Sequence, residues 1–356
     1  MPINTPQDLR SHLELAIQVE LSTIPPYLFA MYSIEDQRSE AALLIRSIVT
    51  EEMLHAVLAA NLLTAMGGEP RFDTTALLPT YPGLLPHHQP LLELNLEPCS
   101  TEMIREVLMR IEQPEVHGAP PEPDAYETLG QFYHALEVGI VELSKRHDLF
   151  ADPQPERQLS DPAFYAPVEF DAADSGGLIL VDGVDSALAT IEVIVHQGEG
   201  LSTERWTDPS HQELTHYHKL AQIVDGESPL GPVRPVPTNP RTADYPEELR
   251  PVSDLFNGCY GYTYLTLAEL FSPREDKSDL VDRLYRLMSR ALSELALFLV
   301  RQPIGKAEVA APTFEIVALT AEDPLRELNE LAAQVAGLHP ELGGVAETIT
   351  TMERSG

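Results

Sequence analysis

Glu51-Glu52-Met53-Leu54-His55 sets a carboxylate and an imidazole three residues apart inside a long apolar-periodic segment, Ala41 to Met66. Ile45, Ile48, Glu52, His55, Ala59 and Leu62 recur at three-and-four spacing, so a helix would put them on one face. Such a face points into a core, where an unpaired charge is costly or is neutralised by a shifted pKa. Glu-x-x-His is the spacing that lets two side chains of one helix ligate one ion, as in carboxylate-bridged two-metal bundles. Glu20 repeats the anomaly on the stripe Leu13, Ile17, Ile24, Tyr27 and Met31. Glu199, with His196 close by, repeats it again on the stripe Leu188, Ile191 and Val195. Three such coincidences favour a metal site over the rival reading, a structural polar network. A mixed Glu/His set suits Fe, Mn or Zn better than Ca or Mg. The lack of a paired cysteine set argues against a structural zinc ribbon.

The elements that must position these residues read as helices. Thr5, Pro6 and Asp8 form a start signal: N-cap, N1 proline and an acidic N3. Pro25 and Pro26 cannot donate to the carbonyls of Leu21 and Ser22, so this first helix is expected to kink beside Glu20; ending at Thr23 and restarting is the alternative. The Glu52/His55 helix should stop at Gly67-Gly68. Residues 69 to 100 are rich in proline and read as a long crossover, with His87 and His88 exposed on it. A short helix follows from Ser100 to Ile111. A third bundle helix is expected from Asp124, which with Glu127 makes a capping pattern, to about His147. Its buried stripe is Leu129, Phe132, Tyr133, Leu136, Ile140 and Leu143, flanked by Gln131, His134 and Glu137. Residues 176 to 182 read as a strand or extended lead-in to a fourth helix over 186 to 198. A further helix is expected over 209 to 224, with His211, His216 and His218. After a proline-rich wrap, three more helices are predicted near 253–271, 279–302 and 323–337.

The chain has 356 residues and a formal net charge of -33, which excludes nucleic acid and anionic membranes as expected partners. Cys99 and Cys259 do not suggest a disulfide framework, so a cytoplasmic location is expected. No signal peptide is read at the N-terminus. No apolar run reaches the ~18 residues of a membrane span.

Several motifs carry a resemblance. Ile17-Gln-Val-Glu20-Leu-Ser-Thr-Ile-Pro-Pro-Tyr27, Glu51-Glu52-Met-Leu-His55, Thr128-Leu-Gly-Gln-Phe-Tyr133, Gln197-Gly-Glu-Gly200, His216-Tyr-His218 and Ala311-Pro-Thr-Phe-Glu315 occur in that order. Together they resemble the ferritin-like family related to the iminophenylpyruvate dimer synthase of violacein-type bisindole pathways. The resemblance runs from Thr5 to Glu315 and implies a four-helix bundle with a metal site between its helices. It carries over Glu20, Glu52 and His55 as ligands from the first half, and Glu199 and His216 as candidates from the second. Such bundles draw carboxylates from their third and fourth helices, but Gln131 and His134 stand at the third-helix positions here, and His196 precedes the Gln-Gly-Glu-Gly turn. A histidine-rich shell that includes His134 and His196 is therefore expected.

The sequence reading is an all-α protein: a ferritin-like four-helix bundle over 1–224, with a proline-rich wrap and additional C-terminal helices over 225–356. The expected function is a metal-dependent oxidoreductase of secondary metabolism, with two iron ions as cofactor; Mn or another transition metal is the alternative. O2 and a small organic, amino-acid-derived aromatic substrate are the expected partners, and a homodimer is left open. Glu20, Tyr27 and Glu199 are the catalytic candidates. Metal storage, or a metal-free helical partner protein, are the rival functions.

Overall fold

The computed structural model describes residues 3–72, 78–116, 118–167, 176–198, 214–317, 319 and 323–353. Its first helix, α1 (Pro6–Ser33), starts on the predicted capping box. Thr5 Oγ1 accepts from the Asp8 amide at 3.1 Å, and Asp8 Oδ2 accepts from the Thr5 amide at 2.9 Å. The helix does not end at Thr23. It continues through Pro25 and Pro26, and the carbonyl that Pro26 leaves unpaired finds another partner. Pro26 cannot serve the Ser22 carbonyl; the Tyr81 hydroxyl, from the proline-rich crossover, donates to it at 2.7 Å.

α2 (Glu40–Ala65) is buried almost all round, which its near-continuous Ala and Leu content permits. Ser39 caps its start, and Gly67 leaves its end with a φ of 72°, as Gly67-Gly68 predicts. The crossover after it holds one two-residue ribbon, β1 (Gly83–Leu84) antiparallel to β2 (Glu93–Leu94). His88 corrects the sequence reading: it is buried at 3% exposure, with Nδ1 2.6 Å from the Pro90 carbonyl. His87 beside it is exposed as expected.

α3 covers 101–111, capped by Ser100 and containing a π turn over Ile104–Leu108. α4 (Leu129–Ser144) begins five residues later than predicted. Thr128 and Gln131 form a true reciprocal box, which displaces the Asp124/Glu127 pattern as the helix start. Gln131 is thereby used as a cap and is no ligand. Residues 176–182 form no strand. The Gln158 side chain takes the place of a strand partner, bonding the Val181 amide at 2.8 Å and its carbonyl at 2.7 Å. α5 (Val184–Gly198) follows, then α6 (His216–Asp225), capped by Thr215. The predicted start of α6 near Pro209, with His211, lies outside the described residues.

α1, α2, α5 and α4 form the bundle, each packed on the next, while α6 packs on α2 and α5, and α3 packs on α6. The chain then runs antiparallel past the end of α1. The Arg234 amide donates to the Ser33 carbonyl at 2.8 Å, and the Glu35 amide to the Pro232 carbonyl at 2.9 Å. The C-terminal helices are α7 (Arg250–Leu270), α8 (278–299, with a π turn over Leu287–Leu292), α9 (Pro324–Leu338) and α10 (Gly343–Glu353). Asp323 and Pro324 start α9 as predicted; α10 is an addition that the sequence reading missed. Ala311-Pro-Thr-Phe-Glu315 acts as a clasp. Asn257 of α7 donates to Thr313 Oγ1 at 2.8 Å and accepts from the Glu315 amide at 3.1 Å, and Glu315 Oε2 accepts from the Thr242 amide at 2.9 Å. No described helix is long and apolar enough to cross a membrane.

The proline passage yields a test. Tyr81→Phe removes the hydroxyl that donates to the Ser22 carbonyl, at a buried serine, a loss of about 1–2 kcal/mol. A lowered thermal midpoint with unchanged helical circular dichroism is expected; an unchanged midpoint would show that water serves the Ser22 carbonyl instead.

Candidate metal centre

Glu20 comes from α1, Glu52 and His55 from α2, Glu112 from the first residue past α3, and His216 from the first turn of α6. All five are at most 3% exposed. Their donor atoms fall into two groups, Glu20/Glu52/His55 and Glu52/Glu112/His216, and within each group the atoms lie within 4.8 Å of one another. Glu52 belongs to both. Its Oε1 lies 3.6 Å from His55 Nδ1 and 3.1 Å from His216 Nδ1. Glu20 Oε2 is 3.5 Å from His55 Nδ1, and Glu112 Oε2 is 3.3 Å from His216 Nδ1.

Hydroxyl donors hold the outer oxygen of each of the three carboxylates. Tyr133 of α4 donates to Glu20 Oε1, Thr23 to Glu52 Oε2, and Tyr27 to Glu112 Oε1 at 2.6 Å. Each carboxylate therefore keeps one oxygen aimed inward. The histidines are oriented in the same way. His55 Nε2 lies 2.9 Å from Gln197 Oε1, and His216 Nε2 lies 2.8 Å from Glu51 Oε2. Both partners accept, so Nε2 carries a hydrogen in each ring and Nδ1 faces the centre. The rings stack at 5.4 Å.

Glu51 is itself buried, at 1% exposure, and is neutralised by the fully buried Lys219, whose Nζ lies 2.6 Å from each of its oxygens. Ser47 Oγ donates to Glu51 Oε1 at 2.8 Å. The ordering of charge follows from these contacts. Burial would raise the Glu51 carboxyl, but the Lys219 charge and the His216 bond outweigh it, so the group sits well below its ordinary 4.5. Glu52 is likewise held low against burial by His216 and His55. Glu20 is raised, first by burial and then by the Glu52 charge. Burial would depress His55, yet Glu20 and Glu52 lift it to about 9; Glu112, Glu51 and Glu52 lift His216 still more clearly. A proton on each imidazole then stands where a cation is wanted. The donor set is O and N throughout, converging on a cavity of ≈ 10 Å³ that has Glu20, Glu52, His55 and Glu112 in its wall. Buried anions around so small a space fit transition-metal ions.

The expected residues are sorted by this geometry. Glu20, Glu52, His55 and His216 converge. His134 does not: its side chain is 41% exposed on the outer side of α4 and Nδ1 lies 3.8 Å from Glu115, because Tyr133 takes the inward position. Glu137 is exposed. His196 belongs to neither donor group, since the adjacent Gln197 turns inward to His55 instead. Tyr27 touches Glu112 rather than an open pocket. Glu199 lies outside the described residues. Glu112 was missed because a lone Glu after a short helix carries no periodic signal. Lys219 was missed because a lysine on a helix usually faces water; its i+3 spacing from His216 was the available clue.

The ferritin-like family profile matches residues 13–225. The 2-imino-3-(indol-3-yl)propanoate dimerase of Chromobacterium violaceum is 26% identical over 95% of this chain and 38% of its own length. The dichlorochromopyrrolate synthase of Lentzea aerocolonigenes is 24% identical over 95% of this chain and 39% of its own. The chain thus spans less than two-fifths of the length of these curated relatives. A ferritin-like protein from Caulobacter vibrioides, known by crystal structure, superposes with a TM-score of 0.61 at 23% identity. That superposition covers 86% of this chain and 99% of the other, a likeness of fold.

Lys219→Met leaves the Glu51 charge with only His216 and the Ser47 hydroxyl to meet it, and a destabilisation of about 3 kcal/mol is expected at neutral pH. Glu51 is held low in the folded protein, so its contribution is complete above 4.5 and fades as pH falls below that value. The gap between variant and wild type should narrow in acid, and Glu51→Gln added to Lys219→Met should close most of it. A gap that widens in acid would contradict this account of the pair.

Proposed function

The chain belongs to the ferritin-like family, and from that premise we propose that it is a two-metal, non-haem oxidoreductase, with iron as the metal. The observation that carries the reading is the shared Glu52: one carboxylate completes two separate three-residue groups, so a pair of ions would have it in common. Glu20 and His55 would complete the holding of one ion, and Glu112 and His216 that of the other. Bound there, a pair of iron ions would supply the redox chemistry with O2 that no side chain of this cluster provides.

The protein's own residues do the positioning. Tyr133, Thr23 and Tyr27 fix which oxygen of Glu20, Glu52 and Glu112 turns inward. Gln197 and Glu51 fix the ring orientation of His55 and His216. Lys219 cancels the charge of Glu51, so the cluster's excess of negative charge stays on the three inward carboxylates. Leu129 and Ile194 border the ≈ 10 Å³ cavity with apolar side chains. A space of that size takes a water-sized molecule and excludes an organic one.

The relatives' names support a reading of the substrate class. One is a dimerase of 2-imino-3-(indol-3-yl)propanoate and the other a dichlorochromopyrrolate synthase. We take a small, amino-acid-derived aromatic acid of secondary metabolism as this chain's substrate class. Cytoplasmic location accords with the two buried free thiols, Cys99 and Cys259.

Elemental analysis of protein purified without chelator, or reconstituted anaerobically with Fe²⁺, tests the centre. About two metal ions per chain are expected, falling to one or none in Glu52→Ala because both groups lose a ligand. Folded protein that takes up no metal would sink the proposal, and a single ion would refute the two-metal form of it.

A further inference from the structure

A second cavity, of ≈ 450 Å³, lies between α1 and α2 on one side and α7 and α8 on the other. It shares no lining residue with the small chamber at the metal centre. On α2 it is lined by Arg46, Val49, Thr50 and Met53, on the face turned away from Glu52 and His55. Its volume is that of a small-molecule site. Its wall is apolar and aromatic: Leu21, Ile24, Phe256, Tyr260 and Tyr264 are all buried beside it.

The polar groups gather at one end. Arg46 is half-buried there, and among the described residues it forms no ion pair; its side chain makes one long hydrogen bond, to the Gln37 carbonyl at 3.4 Å. Tyr32 hydroxyl and Ser293 Oγ, 3.2 Å apart, are also in the wall. Burial raises the Tyr32 hydroxyl, and the Ser293 bond and the nearby Arg46 charge draw it part of the way back, so the guanidinium and the phenol are neighbours. Glu294 is the other charged residue of the wall. It is exposed, and its carboxylate rests by Gly344, where an added Cβ would lie 3.8 Å from it. A half-buried guanidinium with donors to spare, in a chain of net charge -33, is a place for an anion.

We propose that this cavity binds a small organic acid, an aromatic body seated between α1 and α7 with its carboxylate on Arg46, at a site separate from the metal centre. The π turn Leu287–Leu292 supports the same reading. It turns Met288, Ser289 and Leu292 into the wall, and such turns recur at ligand sites. Met31, Met53 and Met288 give the wall adaptable side chains. The C-terminal helices acquire a function: without α7 and α8 the cavity has only one wall.

The full chain can be titrated calorimetrically with 1-naphthaleneacetate and with its neutral amide. One acid per chain is expected to bind, about tenfold or more tighter than the amide, since a guanidinium–carboxylate pair is worth that factor. Arg46→Gln should bring the acid down to the level of the amide and leave the amide unchanged. Leu28→Trp and Leu297→Trp, at half-buried positions of the wall, should abolish binding of both while the thermal midpoint is kept. Glu52→Ala, which lowers the metal content of the centre to one ion or none, should bind the acid as wild type does. The proposal is overturned by an absence of saturable binding, by equal affinity for acid and amide in the wild type, or by binding that survives both tryptophan fillings. Loss of acid binding in Glu52→Ala would place the ligand at the metal centre and overturn it equally; metal content measured alongside tells this failure from a failure of the two-metal reading.

Discussion

Four glutamates, Glu20, Glu51, Glu52 and Glu112, meet inside one helical bundle with almost no exposure to water, and the arrangement around them follows from that constraint. Unpaired, such a group of charges would not fold. Glu51 is answered by Lys219, a fully buried lysine. The other three are answered by two imidazoles in their midst and by hydroxyls behind them. The carboxylates and their partners are spread over five elements, which is why α1, α2, α3, α4 and α6 all converge here. The site is thus also a packing constraint: moving any one of these helices strands a charge.

The proline pair in α1 belongs to the same constraint. Leu21 to Tyr27 must carry Thr23 and Tyr27 toward the carboxylates while Ile24 faces the second cavity. Pro25 and Pro26 sit in that stretch without ending the helix, because Tyr81 serves the carbonyl that Pro26 cannot. The crossover that supplies Tyr81 is therefore part of the scaffold of the site. Beyond the bundle, Asn257, Thr313 and Glu315 clasp the late chain to α7 and hold α7 in place as the far wall of the apolar cavity. One helix pair, α1 and α2, thereby lines two chambers of opposite character: a small anionic one, and a large apolar one with a single cation.

The converging residues that sequence reasoning found were mostly those on long periodic helices. Glu20, Glu52 and His55 stand out because their neighbours at three-and-four spacing are apolar, and a helix then has one inward direction. His216 came from its motif. The misplaced residues fail for a common reason. His134 is one residue away from Tyr133, and His196 one away from Gln197; a helix turns about 100° per residue, so the neighbour takes the inward place. Both inward residues are less obvious ligand types than the histidines beside them. The sequence names the chemistry on offer, but it does not say which of two adjacent residues faces the centre.

Local chemistry determined the helical class, the capping box at Thr5, the stop at Gly67 and the start of α9, because each depends on contacts within a few residues. Buried carboxylates on an apolar face likewise announced a centre that needs positive charge. Tertiary structure alone decided its membership. Glu112 joins from a short helix, Lys219 enters to cancel Glu51, and Tyr133 displaces His134, over separations of up to 168 residues in the chain. It alone also made the second cavity, since Arg46 becomes an anion site only when α7 and α8 cover the apolar wall beside it. Desolvation is the physical reason for both. A charge acquires its value from everything that excludes water around it, and those groups come from parts of the chain that no local pattern connects.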